Sequence, residues 1–303
     1  MRLDFNQSNG VVCFGEILWD MLPHATLPGG APMNVAYHLN KLGINASLIS
    51  KTGDDTWGQD LRTILSEAAI DTKYTQIDSV LETGKVLASV GANHEVTYDI
   101  KQPVAWDAIE INNQILDAVA RSSYFVYGSL ASRSPKSYQT LLALKEVAAK
   151  QVFDINLRAP HYSRNIIETL LSGVHLLKMN EAELALVASW YFEGLTVKDQ
   201  IKTIRDRFNI HKIVVTLGAA GAIYYENDNF FQAPTFSITV ADTIGSGDAF
   251  LAGFLQGLLH QKKPSEALAY AAALGALVAT QHGACPNYNS AQIDAMLVKA
   301  LVV

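Results

Sequence analysis

The chain has 303 residues, 49% of them hydrophobic and 17% charged, which is enough to bury a large core and shows no bias toward disorder or fibre formation. A net charge of −6 and a pI near 5.7, with no run of basic residues, exclude a nucleic-acid surface built on positive charge. Any anionic substrate must therefore be held locally, by backbone dipoles, a few cations and a divalent metal.

The N-terminal residues lack an apolar signal core, and the longest hydrophobic stretch, 267–279, is too short and too rich in alanine to span a bilayer. A soluble, cytoplasmic protein with no membrane partner is expected. Cys13 lies in an apolar run and Cys285 in a late polar turn, a spacing that suits two reduced thiols rather than a metal site.

Along the chain, short runs rich in Val and Ile read as strands at 11–14, 46–50, 124–127, 152–155, 175–179 and 212–217. Helical patterns lie between most of them, at 34–42, 58–69, 113–120, 138–149, 166–171 and 197–208. Strands apolar throughout, with helices between, predict an α/β fold whose parallel sheet is covered on both faces. From Asp248 onward three helices are expected, at 249–260, 264–280 and 290–301. One segment departs from the pattern. Residues 85–100 alternate Val86, Ala88, Val90, then Val96, Tyr98, Ile100 around Gly91-Ala92-Asn93-His94, which reads as an antiparallel hairpin. Such an insertion is either an edge extension or a flap over a site.

Polar residues gather where the strands end, the edge at which open α/β sheets bind ligands. The first strand runs into Gly15-Glu16 and then Asp20, and the strand at 152 into Asp154, Asn156 and Arg158. The next meets Asn180-Glu181-Ala182-Glu183, which also resembles a capping box, and the strand at 212 ends in Thr216-Leu217-Gly218-Ala219-Ala220-Gly221. Gly29-Gly30-Ala31-Pro32-Met33-Asn34 opens a helix: the glycine pair permits close approach of a ligand, and Asn34 can donate to and accept from a sugar hydroxyl.

Asp242-Thr243-Ile244-Gly245-Ser246-Gly247-Asp248 is the most informative stretch. A glycine turn opening a helix leaves N–H groups free to collect anionic oxygens. An aspartate there would repel a resident anion. It makes sense if the carboxylate takes a proton from an incoming hydroxyl while the N–H groups hold charge on a transferring phosphoryl group. The alternative is an acidic residue placed for the helix dipole. Neither a P-loop nor a Gly-x-Gly-x-x-Gly after the first strand is present, which disfavours a P-loop ATPase and a dinucleotide oxidoreductase.

With both glycine motifs in this order, the chain resembles the ribokinase (PfkB) family of ATP-dependent sugar kinases, most nearly its fructokinases. Gly53-Asp54-Asp55-Thr56-Trp57-Gly58, Asp154-Ile155-Asn156-Leu157-Arg158 and the Asn180 and Thr216 segments fill family positions between them, so the likeness covers essentially the whole chain. It implies a ribokinase-like three-layer α/β/α sandwich over residues 1–303, with a mainly parallel sheet and a small β lid from about 17–28 and 84–104. It implies transfer of the γ-phosphoryl of Mg-ATP to a sugar, with Asp248 as general base and the N–H groups of Gly245, Ser246 and Gly247 as anion hole. Arg158 would sit near the transferring phosphate. Asp20, Gly30 and Asn34, with Tyr98 of the lid hairpin, would hold the sugar. Asn180 and Glu183 would order Mg²⁺ through water, Thr216, Gly218 and Gly221 the nucleotide, and Asp242 a monovalent cation such as K⁺. Two positions depart from the family: Ser246 where alanine is usual, and Ala159-Pro160-His161-Tyr162 after Arg158 in place of a tryptophan-containing continuation. Fructose, ribose and 2-keto-3-deoxygluconate stay open as acceptors, as does a silent relative that only binds sugar or nucleotide. The hairpin would serve as a lid or as a homodimer clasp.

Overall fold

In the computed structural model, residues 10–22, 24–90 and 96–300 are described, with 88–90, 96–98, 299 and 300 described by their backbone alone. The chain opens with β1 (Val11–Phe14), the hairpin β2 (Leu18–Leu22) and β3 (Ala25–Gly29), and α1 (Ala31–Lys41). Then come β4 (Ala46–Gly53), α2 (Thr56–Glu67), β5 (Thr75–Asp78), and the pair β6 (Gly84–Val90) and β7 (Val96–Ile100). Regular alternation follows: α3 (Asn113–Arg121), β8 (Tyr124–Gly128), α4 (Pro135–Val147), β9 (Gln151–Asp154), α5 (Arg164–Leu171) and β10 (Leu176–Asn180). The chain continues through α6 (Glu181–Ser189), α7 (Val197–Phe208), β11 (Lys212–Thr216), β12 (Ala222–Glu226) and β13 (Asn229–Gln232), and closes with α8 (Ser246–Leu259), α9 (Pro264–Ala279) and α10 (Ser290–Ala300). The expected turn at Gly91-Ala92-Asn93-His94 lies outside the described residues.

Nine strands form one sheet in the order β13-β12-β11-β10-β9-β8-β1-β4-β5. All neighbours are parallel except β11–β12 and β12–β13. Strand side chains alternate between faces, and the two faces feed separate cores. Val11, Cys13, Val126, Val152, Leu176 and Val214 pack with residues of α1, α2, α8 and α9. Their neighbours Val12, Phe14, Phe125, Tyr127, Phe153 and Leu177 pack with residues of α3 to α7. The sheet is therefore the middle layer of an α/β/α sandwich. Burial on both sides explains why its strands read as continuous apolar runs.

β5, β12, β13 and α6 lie outside the elements predicted from the sequence. The last is nine residues long, follows β10 without a loop, and has no clean apolar stripe: Leu184 and Val187 are buried while Leu186 is exposed. β12 and β13 are joined at Asn227-Asp228, both at positive φ (49° and 63°), the backbone of a tight hairpin.

The order β8-β1-β4 sets the site. After β1 the chain builds one wing of the sheet, then returns to start the other at β8, and the reversal leaves a crevice beyond the carboxyl ends of those strands. Beside it the 17–28 and 84–104 segments supply a four-stranded sheet, β3-β2-β6-β7, in which β2 and β6 run parallel. One aspartate ties the two parts together. Asp55, the N-cap of α2, accepts from Gly58 N (2.7 Å) and from Thr83 N (2.9 Å) and Oγ1 (2.6 Å) just before β6. Asp55→Ala is expected to cost about 1–2 kcal/mol by urea denaturation, the range for a lost helix cap; an unchanged midpoint would remove this role. No helix among the described residues is long and apolar enough to cross a membrane.

Candidate active site

Two helix N-termini meet at the crevice. Gly30 is the N-cap of α1 with φ 113°, and a Cβ there would stand 2.4 Å from Glu16 O, so only glycine lets the chain turn so close to the end of β1. Gly245 is the N-cap of α8 in the left-handed region, φ 75°, with Ser246, Gly247 and Asp248 forming the first turn. Asn34 of α1 donates from Nδ2 to Asp248 Oδ2 (2.8 Å), joining positions 214 residues apart. Both side chains are buried.

The glycine turn differs from the expected arrangement at Ser246. Its N–H turns back to Thr243 O (3.3 Å) and its hydroxyl donates to Gly275 O of α9 (2.9 Å), so neither group is directed at an incoming anion. The N–H groups of Gly245, Gly247 and Asp248 have no acceptor among the described residues, as the first turn of a helix leaves them. The donors available to an anion are thus the two glycines and Asp248.

Burial raises Asp248, Glu16 and Asp20 here, as it does Glu183 of α6. Asp248 is pushed up to about 6 by desolvation, against the pull of Lys178, the hydrogen bond from Asn34 and the charge of Arg158. Glu16, at the end of β1, is pushed up to about 7, again chiefly by burial. Its Oε1 accepts from Ala31 N (3.2 Å) and its Oε2 has no partner. Asp20, on β2 opposite Leu27 of β3, is raised by burial to about 6. Arg158 lowers Asp248, Glu16 and Asp20, yet its guanidinium is exposed and among the described residues bonds only to its neighbour Leu157 O (3.0 Å).

The raised carboxylates carry a linkage sign. A folded pKa above the unfolded value means that the folded chain holds more protons between about pH 4 and 7, so stability from this group falls as pH rises through that window. Glu16→Gln removes the group. The variant's stability relative to wild type is expected to improve from pH 5 to pH 8, read as paired melting temperatures. A constant difference would mean that Glu16 does not titrate there. Taking the difference cancels His38, which burial pushes down to about 4 and which acts in the opposite sense.

Asn180 and Glu183 form a reciprocal cap on α6: Glu183 N donates to Asn180 Oδ1 and Asn180 N to Glu183 Oε2, both 2.8 Å. Glu183 Oε1 also accepts from Leu157 N (2.9 Å), which anchors the loop carrying Arg158. With both Glu183 oxygens bonded to backbone, the pair suits outer contact with a hydrated Mg²⁺ that takes its inner oxygens from phosphates. Among the described residues no three His, Cys, Asp or Glu side chains make a cage of their own. Thr216 ends β11, where Gly218 (φ 57°) and Gly221 (φ 86°) turn the chain back into β12. Asp242 accepts from Ile244 N (3.0 Å) and Gly283 N (3.1 Å), bridging the loop before α8 to the loop after α9. Tyr98 pairs with Ala88 in the second sheet, and its side chain lies outside the described residues.

Two groups at the site had been given no role. Cys285 donates from Sγ to Asn34 Oδ1 (3.4 Å), leaving the amide's NH₂ facing Asp248. Lys178, the one charge inside the apolar run of β10, lies opposite Asp154 on β9 and donates to both its oxygens (3.0 and 2.8 Å). A lone lysine in a strand apolar on both sides, with an aspartate ending the strand before it, was the available signal: a buried charge needs a partner.

Residues 25–291 match the family described as pfkB family carbohydrate kinase. Fructokinase-1 of Zea mays is 29% identical over 96% of this chain and 98% of its own length. The structure of a fructokinase from Vibrio cholerae O395, in fructose-, ADP- and calcium-bound form, superposes with a TM-score of 0.82 at 25% identity, covering 96% of this chain and 100% of that one. A Xylella fastidiosa fructokinase with bound ATP, 22% identical and covering 97% and 98%, has a TM-score of 0.81 and shares the ribokinase-like fold. The match runs from the second sheet past the glycine turn of α8 to the start of α10, and on it the chain belongs to the pfkB family of carbohydrate kinases.

Proposed function

We propose that this carbohydrate kinase transfers the γ-phosphoryl of ATP to a primary sugar hydroxyl, fructose to fructose 6-phosphate before other acceptors. The observation that carries the reading is Asp248, a buried carboxylate raised to about 6 among three unengaged N–H groups at a helix N-terminus. A base with a pKa near neutrality, beside donors aimed at developing charge, fits hydroxyl deprotonation coupled to phosphoryl transfer. Asp248 takes the hydroxyl proton, and the sugar oxygen forms its bond to the γ-phosphorus. The bond from that phosphorus to the bridging oxygen breaks, and the electron pair leaves with ADP. The N–H groups of Gly245, Gly247 and Asp248 hold the equatorial oxygens, and Arg158 turns in from solvent toward them. Asp20, Gly30 and Asn34 grip the sugar, and Thr216, Gly218 and Gly221 border the nucleotide.

When bound, Mg²⁺ would draw charge from the β- and γ-phosphates, with Asn180 and Glu183 holding its water shell. Asp242 and the Gly283 loop would border a K⁺ site. The four-stranded sheet would close over the sugar and keep water from the phosphoryl group, and it is also the face on which a second copy would sit. Sedimentation as a monomer at micromolar concentration would remove that last assignment. Fructose is favoured by the names of the relatives and by the fructose in the Vibrio cholerae structure.

The test is a coupled ADP-release assay with Mg-ATP and K⁺ against fructose, ribose, tagatose, glucose, 2-keto-3-deoxygluconate and nucleosides. Turnover on fructose alone is expected. Turnover on a different acceptor keeps the mechanism and replaces the substrate, and silence on all of them removes the proposed reaction.

A further inference from the structure

The ion pair between β9 and β10 does more than join two strands. Lys178 is 6% exposed and Asp154 4% exposed, and the two face each other in register. Two charges buried this deeply gain little over an apolar pair of the same size, so the pair is not explained by stability. Its position is informative. A Cβ built on Gly247 would stand 3.1 Å from Lys178 Nζ, so the ammonium lies directly against the first turn of α8. Both oxygens of Asp154 accept from the ammonium, at 3.0 and 2.8 Å, which holds it in place.

We propose that Lys178 is a positioning residue of the phosphoryl-transfer site, its ammonium held by Asp154 under the Gly247 turn so that one fixed positive charge serves both the transferring phosphoryl group and the ionised Asp248. The inference rests on the kinase reading above. Asp248 faces Lys178 from β10, Asp154 from β9, Asn34 from α1, Arg158 from the loop after β9, and Glu16 and Cys285 at the ends of β1 and α9. Among these the only cations are Lys178 and Arg158, and only Lys178 is buried and held. A preorganised charge in a dry site acts without reorganisation as the reaction proceeds, which is where electrostatic stabilisation is largest. The same contact bears on Gly247, since a Cβ there would crowd the ammonium.

The experiment compares Lys178→Gln, the double variant Lys178→Met/Asp154→Leu, and Asp154→Asn. The first keeps a donor for Asp154 without the charge, the second exchanges the pair for apolar groups, and the third keeps the ammonium. For each, the folded fraction is fixed by near-UV circular dichroism before kinetics on the sugar that wild type uses. Expected for Lys178→Gln and the double variant is a fall in kcat of roughly 10²–10³, the scale for one lost preorganised donor. The sugar KM should stay within a few-fold, and the acid limb of the kcat/KM profile should move to higher pH. Asp154→Asn should lose less than either. Folded charge-less variants with kcat within threefold of wild type and an unmoved acid limb would overturn the proposal while leaving the kinase reading intact. A wild type that phosphorylates no sugar would overturn both.

Discussion

Asp248→Asn is expected to lower turnover by roughly 10²–10⁴, the usual contribution of a general base, without unfolding the protein. Asparagine can keep the acceptor that Asn34 Nδ2 uses at 2.8 Å, and Lys178 keeps Asp154 as its partner. The substitution also removes a carboxylate whose burial disfavours its charge, so the melting temperature should not fall. Loss of turnover with an intact melting temperature is the signature of a chemical role. Near-normal turnover of the folded variant would take Asp248 out of the mechanism. The wild-type pH profile tests the same assignment. With the base raised to about 6, kcat/KM should fall below that pH by about tenfold per unit as Asp248 protonates, and level off above it. The kinetic and stability dependences run in opposite directions. The ionised base that catalysis needs is the form that burial penalises, so this site works best where its own contribution to folding is smallest.

Gly245→Ala is expected to be strongly disruptive for a change of one methyl group. Its φ of 75° already strains any L side chain, and a Cβ would stand 2.5 Å from Ala284 Cα and 2.7 Å from Ala284 O. Those atoms are backbone, so relief requires moving the loop. That loop is fastened to α1 on its other side: Ala284 O accepts from His38 Nε2 (2.9 Å), Tyr288 OH meets His38 Nδ1 (2.9 Å) and Tyr37 OH donates to Pro286 O (3.0 Å). It also carries Cys285, the donor to Asn34. A shift at Gly245 therefore reaches the Asn34 amide, proposed to grip the sugar, as well as the proposed anion donors. Overpacking at about 1–3 kcal/mol and left-handed strain at about 1–2 kcal/mol put the loss near 2–5 kcal/mol, with turnover reduced at least about tenfold by misplacement of the donors. Gly43→Ala is the matched control. Gly43 has nearly the same φ, 79°, but nothing lies within 4 Å of its Cβ position, so it should show only the strain. Equal losses at the two positions by urea denaturation would mean that the Ala284 contact has no energetic weight.

Much of this arrangement is legible in the chain as written. β1 and β8 are apolar along their length, and β9 to β11 keep apolar centres, because the sheet is covered on both faces, and that run length is a local property that survives without knowing the partners. The glycine turn before Asp248, and the Gly-Gly pair before Asn34, announce helix N-termini that a ligand can approach. The elements that escaped notice lacked that kind of local signal. α6 begins where β10 ends and its apolar residues do not form a stripe, and β5 pairs at the sheet edge beside β4, where only register reveals it.

The class of fold and the residue types gathered at one sheet edge are readable along the chain, because periodicity and turn chemistry act over a few neighbouring residues. Which groups act on one another depends on packing. Asn34 meets Asp248 and Cys285 across more than 200 residues, Ser246 bonds back to Thr243 and Gly275, and Lys178 comes to rest against Gly247. Those outcomes follow from how two helices pack onto a crossed-over sheet, and the strength of each interaction depends on burial and distance, which the order of residues along the chain does not contain.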